Sequence, residues 1–181
     1  MRRILVSLLT LFFIGVSASA ALAASPHFKK GGEPTCAVTS TSAPSSTTTC
    51  TASLTGLGNA DVVVTTSVSG SALYQCQNGG GNIAPGQNKV PVGPATSTTS
   101  IPADQIKNGN LTFTTNPAVL TAPSTVPAST AGCPNGNWTG VNPVLTTTSI
   151  TLTIEQPPGT TLFTCTASNP NGLSGKVALS C

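Results

Sequence analysis

The chain is poor in charge, and the shortage is sharpest after its first 23 residues: no arginine, one histidine (His27) and four carboxylates (Glu33, Asp61, Asp104, Glu155). Acid–base, metal and phosphate chemistry all draw on those side chains, so few constellations are left to build. Five lysines face the four carboxylates, a formal charge of +1 once Arg2 and Arg3 are set aside. Aromatic residues make up only 4% of the sequence. Nucleic-acid recognition needs a basic footprint and usually stacking rings, so no nucleic-acid partner is expected. Helical periodicity is absent after residue 23.

The carboxylates are also scattered. Glycoside hydrolysis needs two of them about 5–10 Å apart, and no two lie near each other in sequence. Asp61 falls in a tight turn, Glu155 ends a strand, and His27 sits in a polar tail without the ordered setting a Ser-His-Asp base requires. Asn59 with Asp61 is too little oxygen and charge for calcium. No catalytic residue, metal or cofactor is assigned, and the expectation is a protein that is not an enzyme.

Residues 1–23 read as a secretory signal. Arg2 and Arg3 supply the positive start, Ile4 to Val16 the apolar run, and Ala21-Leu22-Ala23 the small-residue cleavage site. Such a run is too short to span a bilayer, which takes about 20 apolar residues. No later stretch is apolar enough to span, so the processed product is expected to be secreted, extracellular and without a membrane span. All six cysteines (Cys36, Cys50, Cys76, Cys133, Cys165, Cys181) lie beyond the leader, an even count that fits disulfides in an oxidising compartment. A metal site would want close pairs, and the shortest spacing here is 14 residues.

Serine and threonine are the commonest residues, with glycine, proline and asparagine beside them. That composition suits a mucin-like stalk, but β-branched apolar runs bounded by turn residues argue for a Thr-rich β-protein. Residues 24–34 are expected to be a flexible tail, and 35–181 one domain. Thr48 to Leu57, Val62 to Ser69 and Ala72 to Gln77 alternate with period 2 and predict a meander, broken at Gly58–Asp61 and at Ser69-Gly70-Ser71. Asn78 to Pro94 reads as a long Gly/Pro loop, and Asn116 to Asn142 as largely irregular. Ala95 to Ile101, Leu111 to Thr115, Thr146 to Glu155, Thr161 to Ser168 and Gly175 to Cys181 are further strands. About eight short strands with one apolar face each call for two packed sheets, a single all-β, antiparallel, disulfide-bonded β-sandwich. A monomer is expected.

The segment Cys76-Gln77-Asn78-Gly79-Gly80-Gly81-Asn82-Ile83-Ala84-Pro85-Gly86-Gln87-Asn88, with Gly56-Leu57-Gly58-Asn59, resembles a family of uncharacterised secreted bacterial proteins. That family carries a Gly-Leu-Gly-Asn turn and a Cys-led Asn/Gly loop ending in Pro-Gly-Gln-Asn. Lys107-Asn108-Gly109-Asn110-Leu111 and Cys133-Pro134-Asn135 with Trp138 fit the same pattern. The resemblance implies no activity. Locally, Thr161 to Gly172 is similar to strand F and the following turn of immunoglobulin-like domains, and Thr49 to Ser53 to strand B. Phe163 stands where the corner tyrosine belongs, and no tryptophan follows Cys50. That comparison implies immunoglobulin-like architecture with Cys50–Cys165 bridging the sheets. Cys76–Cys133 would tie the meander to the Pro-rich loop, leaving Cys36–Cys181.

The Asn/Gly loop offers amide donors and acceptors (Gln77, Asn78, Asn82, Gln87, Asn88), and Tyr74 and Trp138 offer rings for stacking a sugar. The plainer reading is a demanding loop whose amides satisfy its own backbone, with Trp138 in the core. Asn110-Leu111-Thr112 and Asn137-Trp138-Thr139 match the glycosylation sequon but carry no meaning in a bacterium. The leading functional expectation is a non-catalytic extracellular structural, surface or adhesion role. The second is a carbohydrate-binding module built on the loop and the two aromatics. In either case a neutral glycan or a cell-envelope component is the partner class.

Overall fold

The structure is a computed structural model that describes residues 25–42 and 44–181. The expected signal, residues 1–23, lies outside the described residues. Eleven strands follow in order: β1 (His27–Phe28), β2 (Thr35–Ser42), β3 (Ser45–Thr55), β4 (Val62–Asn78), β5 (Ile83–Ile101), β6 (Leu111–Thr114), β7 (Ala118–Thr121), β8 (Val126–Pro127), β9 (Trp138–Glu155), β10 (Thr161–Ser168) and β11 (Gly175–Ala178). A short 3₁₀ turn (Ala103–Gln105) precedes β6, and a one-turn helix α1 (Ala128–Ala131) precedes β9.

The strands form two antiparallel sheets, as a sandwich requires. In the first, β3 is central. β1 and β2 lie along one edge of it, β6 and β7 end to end along the other, and β11 lies outside β2. The second sheet runs β10-β9-β4-β5, with β8 continuing the line of β10 beside β9. Both sides of the sandwich are closed. On one, the C-terminal segment leaves β11 and crosses to the second sheet, where Thr166 and Ser180 pair. On the other, Asn116 between β6 and β7 grips β5: its N–H donates to Thr99 Oγ1, its Nδ2 donates to Thr98 O, and its carbonyl accepts from Ser97 Oγ.

The sheets differ in length. β4, β5 and β9 have 17, 19 and 18 residues, and the core divides accordingly. The end of the second sheet formed by the start of β4 and the last residues of β5 and β9 packs on the first sheet through Val62, Val64, Ile150, Leu152 and Ile154 against Leu54, Leu111 and Phe113. Further along, Val68, Ala72, Tyr74, Val90 and Val92 are covered by Ala118, Leu120, Ala122 and Ala131 from the segment carrying β7 and α1.

Several expectations are corrected. From Ser25 onward the supposed tail is tied down: β1 pairs with the end of β3, Lys29 N–H donates to Ser53 O, Pro34 is fully buried, and Phe28 packs on Phe163 with ring centroids 4.6 Å apart. Its apolar side chain is too valuable to leave in water. Ser69-Gly70-Ser71 does not end a strand, because β4 runs straight through. A Cβ on Gly70 would stand 2.3 Å from Thr146 O, so glycine serves a close approach to β9 at a bulge. Asn78 to Pro94 is mostly strand β5. Its prolines are tolerated because β5 is an edge strand, where an absent N–H on the outer side costs no ladder bond.

The disulfides are Cys36–Cys50, Cys76–Cys133 and Cys165–Cys181. The Cys50–Cys165 and Cys36–Cys181 pairs implied by the immunoglobulin comparison are not formed. Cys36 and Cys50 stand in register on neighbouring strands, so each finds the other within its own sheet. Cys165 meets Cys181 because the C-terminal segment crosses beside β10. No pin of the immunoglobulin kind joins the two sheet centres.

Candidate functional site

Alternation fixes what each face of the second sheet presents. In β4 the even-numbered residues Val62 to Cys76 turn inward, and the odd-numbered ones face out. Register then lines up a row Thr98–Thr65–Thr153–Thr164 across β5, β4, β9 and β10. The next row is Thr96–Ser67–Thr151–Thr166, and a third is Ser69–Ser149–Ser168. Each strand contributes a hydroxyl-x-hydroxyl triplet whose middle residue is turned inward: Thr66 in β4, Leu152 in β9 and Cys165 in β10 are completely buried. The result is a field of hydroxyls about 4.8 Å apart across strands and about 6.6 Å apart along them.

On the first sheet six outer hydroxyls pair with one another. Thr35 Oγ1 lies 3.4 Å from Thr51 Oγ1, Ser45 Oγ 3.0 Å from Thr121 Oγ1, and Ser53 Oγ 2.9 Å from Thr112 Oγ1. In the three rows of the second sheet, no side-chain hydroxyl has a partner among the described residues. The charges flanking the field lie at its margins: Glu155, whose Oε2 accepts from Gly159 N–H at 2.9 Å, and Lys89 further along the face.

Beyond Ser71 the same face turns apolar. Bulges in β5 and β9 fall at the level of Tyr74 and bend the sheet. A cleft of about 780 Å³ opens there, lined by the outward Leu73, Ile83, Pro85 and Val144 and reaching Tyr74, Pro143, Pro44 and Ser124 on the inner side of the sheet. Leu73, Ile83 and Val144 are 46%, 49% and 61% exposed. Gln75 and Asn142 supply polar lining: Asn142, held at φ 50°, donates from Nδ2 to Gln75 Oε1 at 2.9 Å.

The ligand set expected from the sequence does not assemble. Tyr74 faces inward, is 1% exposed, and donates its hydroxyl to Pro123 O at 2.8 Å. Burial raises its phenol pKa above the usual 10. Trp138 packs half-buried against the second core cluster. Asn78 Oδ1 accepts from the N–H groups of Gly80 and Asn82, and so shapes its own turn. Asn88 Nδ2 reaches the carbonyls of Ser129 and Thr130. Asn82 and Gln87 are exposed, and Gln77 opens onto the outer face. The rings and the free amides therefore lie on opposite sides of the sheet.

Three of the four carboxylates accept from backbone N–H groups, Glu155 among them. Glu33 accepts from Gly31 N–H, and Asp61 from Ala103 N–H, where it caps the 3₁₀ turn. Among the described residues no three His, Cys, Asp or Glu side chains gather to hold a metal ion, and no helix is long and apolar enough to cross a membrane. Sequence reasoning missed Leu73, Ile83 and Val144. For Leu73 the signal was an apolar residue at an outward position of an alternating segment, whereas Ile83 lay in a segment read as loop and Val144 outside any expected strand. Compared with protein-family models, curated proteins and solved structures, the chain matches none.

Proposed function

We propose that this protein is a non-catalytic, secreted β-sandwich with a structural or adhesive role at the extracellular surface. The observation that carries this reading is the outer face of the second sheet: a broad array of unpartnered, uncharged hydroxyls continuous with an apolar cleft. Such a face suits contact with an extended surface better than capture of a small molecule. The three disulfides and the absence of a membrane-crossing helix among the described residues are consistent with an extracellular setting. Glu33, Asp61 and Glu155 fit the same reading, because each is engaged by a turn or cap rather than aimed into the cleft.

The test is retention of the processed protein on envelope and exopolysaccharide preparations of its own source cells. Binding is expected to survive high salt, because contacts to neutral groups are not screened. No retention on either preparation refutes the role, and retention abolished by salt refutes its neutral basis.

A further inference from the structure

The geometry points to a neutral polysaccharide as the ligand, bound along the outer face of the β10-β9-β4-β5 sheet. The apolar faces of its sugar rings would rest in the cleft, and its hydroxyls would meet the threonine rows. This rests on the surface role proposed above and names its ligand class and site. The carbohydrate site expected from the sequence is thereby moved from the Asn/Gly loop to a different face.

Four observations converge. First, the hydroxyls of the Thr65 and Ser67 rows have no side-chain or backbone partner among the described residues, whereas on the first sheet Thr35, Ser45 and Ser53 pair with Thr51, Thr121 and Thr112. A hydroxyl both donates and accepts, so the partner that satisfies a field of them is itself rich in hydroxyls. Second, no ionisable side chain lies within the three rows, and the strip beyond them carries one charge of each sign, Lys89 opposite Leu73 and Glu155 opposite Val63, so no net charge favours an anionic polymer. Third, the field is periodic, repeating about every 6.6 Å along the strands, the direction in which the strip runs, and about every 4.8 Å across them. A polymer of identical pyranose units is likewise periodic along its length. Fourth, the cleft adds what a hydroxyl field lacks. Leu73, Ile83 and Val144 offer exposed apolar contact beside the Gln75–Asn142 amide pair. A pyranose has the complementary form, with an apolar C–H face and a polar edge. From position 63 to position 77 of β4 the strip is about 45 Å long at roughly 3.3 Å per residue. A chain of several sugars is needed to span it, and polymers are expected to bind more tightly than di- or trisaccharides.

The experiment uses the processed full chain and three insoluble or immobilised neutral probes: swollen cellulose, chitin and a mixed-linkage β-glucan. Carboxymethyl-cellulose serves as an anionic comparison. T65V/T153V removes two hydroxyls from the field while keeping branched strand formers. Ile83→Asp places a charge in the cleft at a half-exposed position, and T51V/T112V is the control on the first sheet. The expected result is retention on at least one neutral probe, a loss of affinity of about tenfold or more in both T65V/T153V and Ile83→Asp, and none in the control. At 1.4 kcal/mol per decade, tenfold corresponds to about one good hydrogen bond. Equal binding by wild type and both test variants overturns the inference, as does equal loss in the control. Retention on the source envelope but on no neutral polysaccharide overturns the inference and leaves the surface role standing. Retention on neither removes both. Adsorption to ice crystals without glycan binding would also overturn it, assigning the hydroxyl lattice to frozen water.

Discussion

Removing the Cys76–Cys133 bond by C76A/C133A should loosen one half of the molecule and leave the other intact. Cys76 lies in β4 and Cys133 just beyond α1, a sequence separation of 57 residues, against 14 and 16 for the other two bonds. The chain-entropy relation gives about 4 kcal/mol for the long loop and about 3 kcal/mol for each short one. Against a total of 5–15 kcal/mol for a typical domain, the loss of the long one is large. The effect should also be local. The bond clasps the segment that covers the second core cluster, whose own secondary structure is only the four residues of β7, the two of β8 and the single turn of α1. The first cluster keeps both of its bonds. Hydrogen exchange read by mass spectrometry should show the amides of β7 and α1 losing protection well before those of β3 and β10. A dye that binds exposed apolar surface should bind at denaturant concentrations below the main unfolding transition. C36A/C50A should cost about 3 kcal/mol with no selective loss around β7. Uniform loss of protection across both clusters in C76A/C133A, or a cost below about 1 kcal/mol, would refute the two-cluster account.

Three further substitutions test single contacts. Gln156 is buried, and its amide accepts from Gly58 N–H and donates to the carbonyls of Gly58 and Ala60, joining two distant turns. Gln156→Ala should cost about 2–3 kcal/mol by calorimetry, and a loss under about 0.5 kcal/mol would show that the turns hold without it. Tyr74→Phe leaves Pro123 O without its partner and should cost about 1–2 kcal/mol. Because burial raises the Tyr74 pKa above 10, the unfolded chain ionises first. Stability should therefore be full below pH 10, fall above it until the folded phenol ionises, and lack that contribution in Tyr74→Phe. Thr66 is wholly buried and its hydroxyl has no partner among the described residues, so Thr66→Val should raise stability by about 1 kcal/mol, and destabilisation would contradict the core geometry.

Alternation made much of the fold legible. Thr48 to Leu57 falls on β3 as far as Thr55, and Val62 to Ser69, Thr146 to Glu155 and Thr161 to Ser168 fall on β4, β9 and β10, because a strand with one buried face must write period 2 into its sequence. The failures share a cause. Gly70, Gly86 and Gly93 look like punctuation, yet each lies where a neighbouring backbone comes close. A Cβ on Gly86 would stand 2.5 Å from Tyr74 O, and one on Gly93 would stand 2.9 Å from Val68 O. Glycine as a terminator and glycine as a contact point are identical in sequence. Disulfide pairing was illegible for a related reason. Cys50 faces inward as the immunoglobulin comparison implies, but register placed Cys36 directly beside it.

The candidate face was visible in pieces and invisible as a whole. Thr65-Thr66-Ser67, Thr96-Ser97-Thr98, Thr151-Leu152-Thr153 and Thr164-Cys165-Thr166 are plain in the sequence. What assembles them is register, and register is held by the residues in their midst. A one-residue slip would turn Leu152 or Cys165 to solvent and send the flanking threonines into the core. Packing therefore orders the field without any selection for a ligand, and hydroxyl rows alone would be weak grounds for one. Leu73, Ile83 and Val144 cannot be explained that way. They stand at outward positions where the same alternation would have placed another threonine, they leave apolar surface in water, and they lie together around one cleft. An exposed apolar cluster invites association unless something covers it. The departure from the pattern, more than the pattern, marks this face as one that meets a partner.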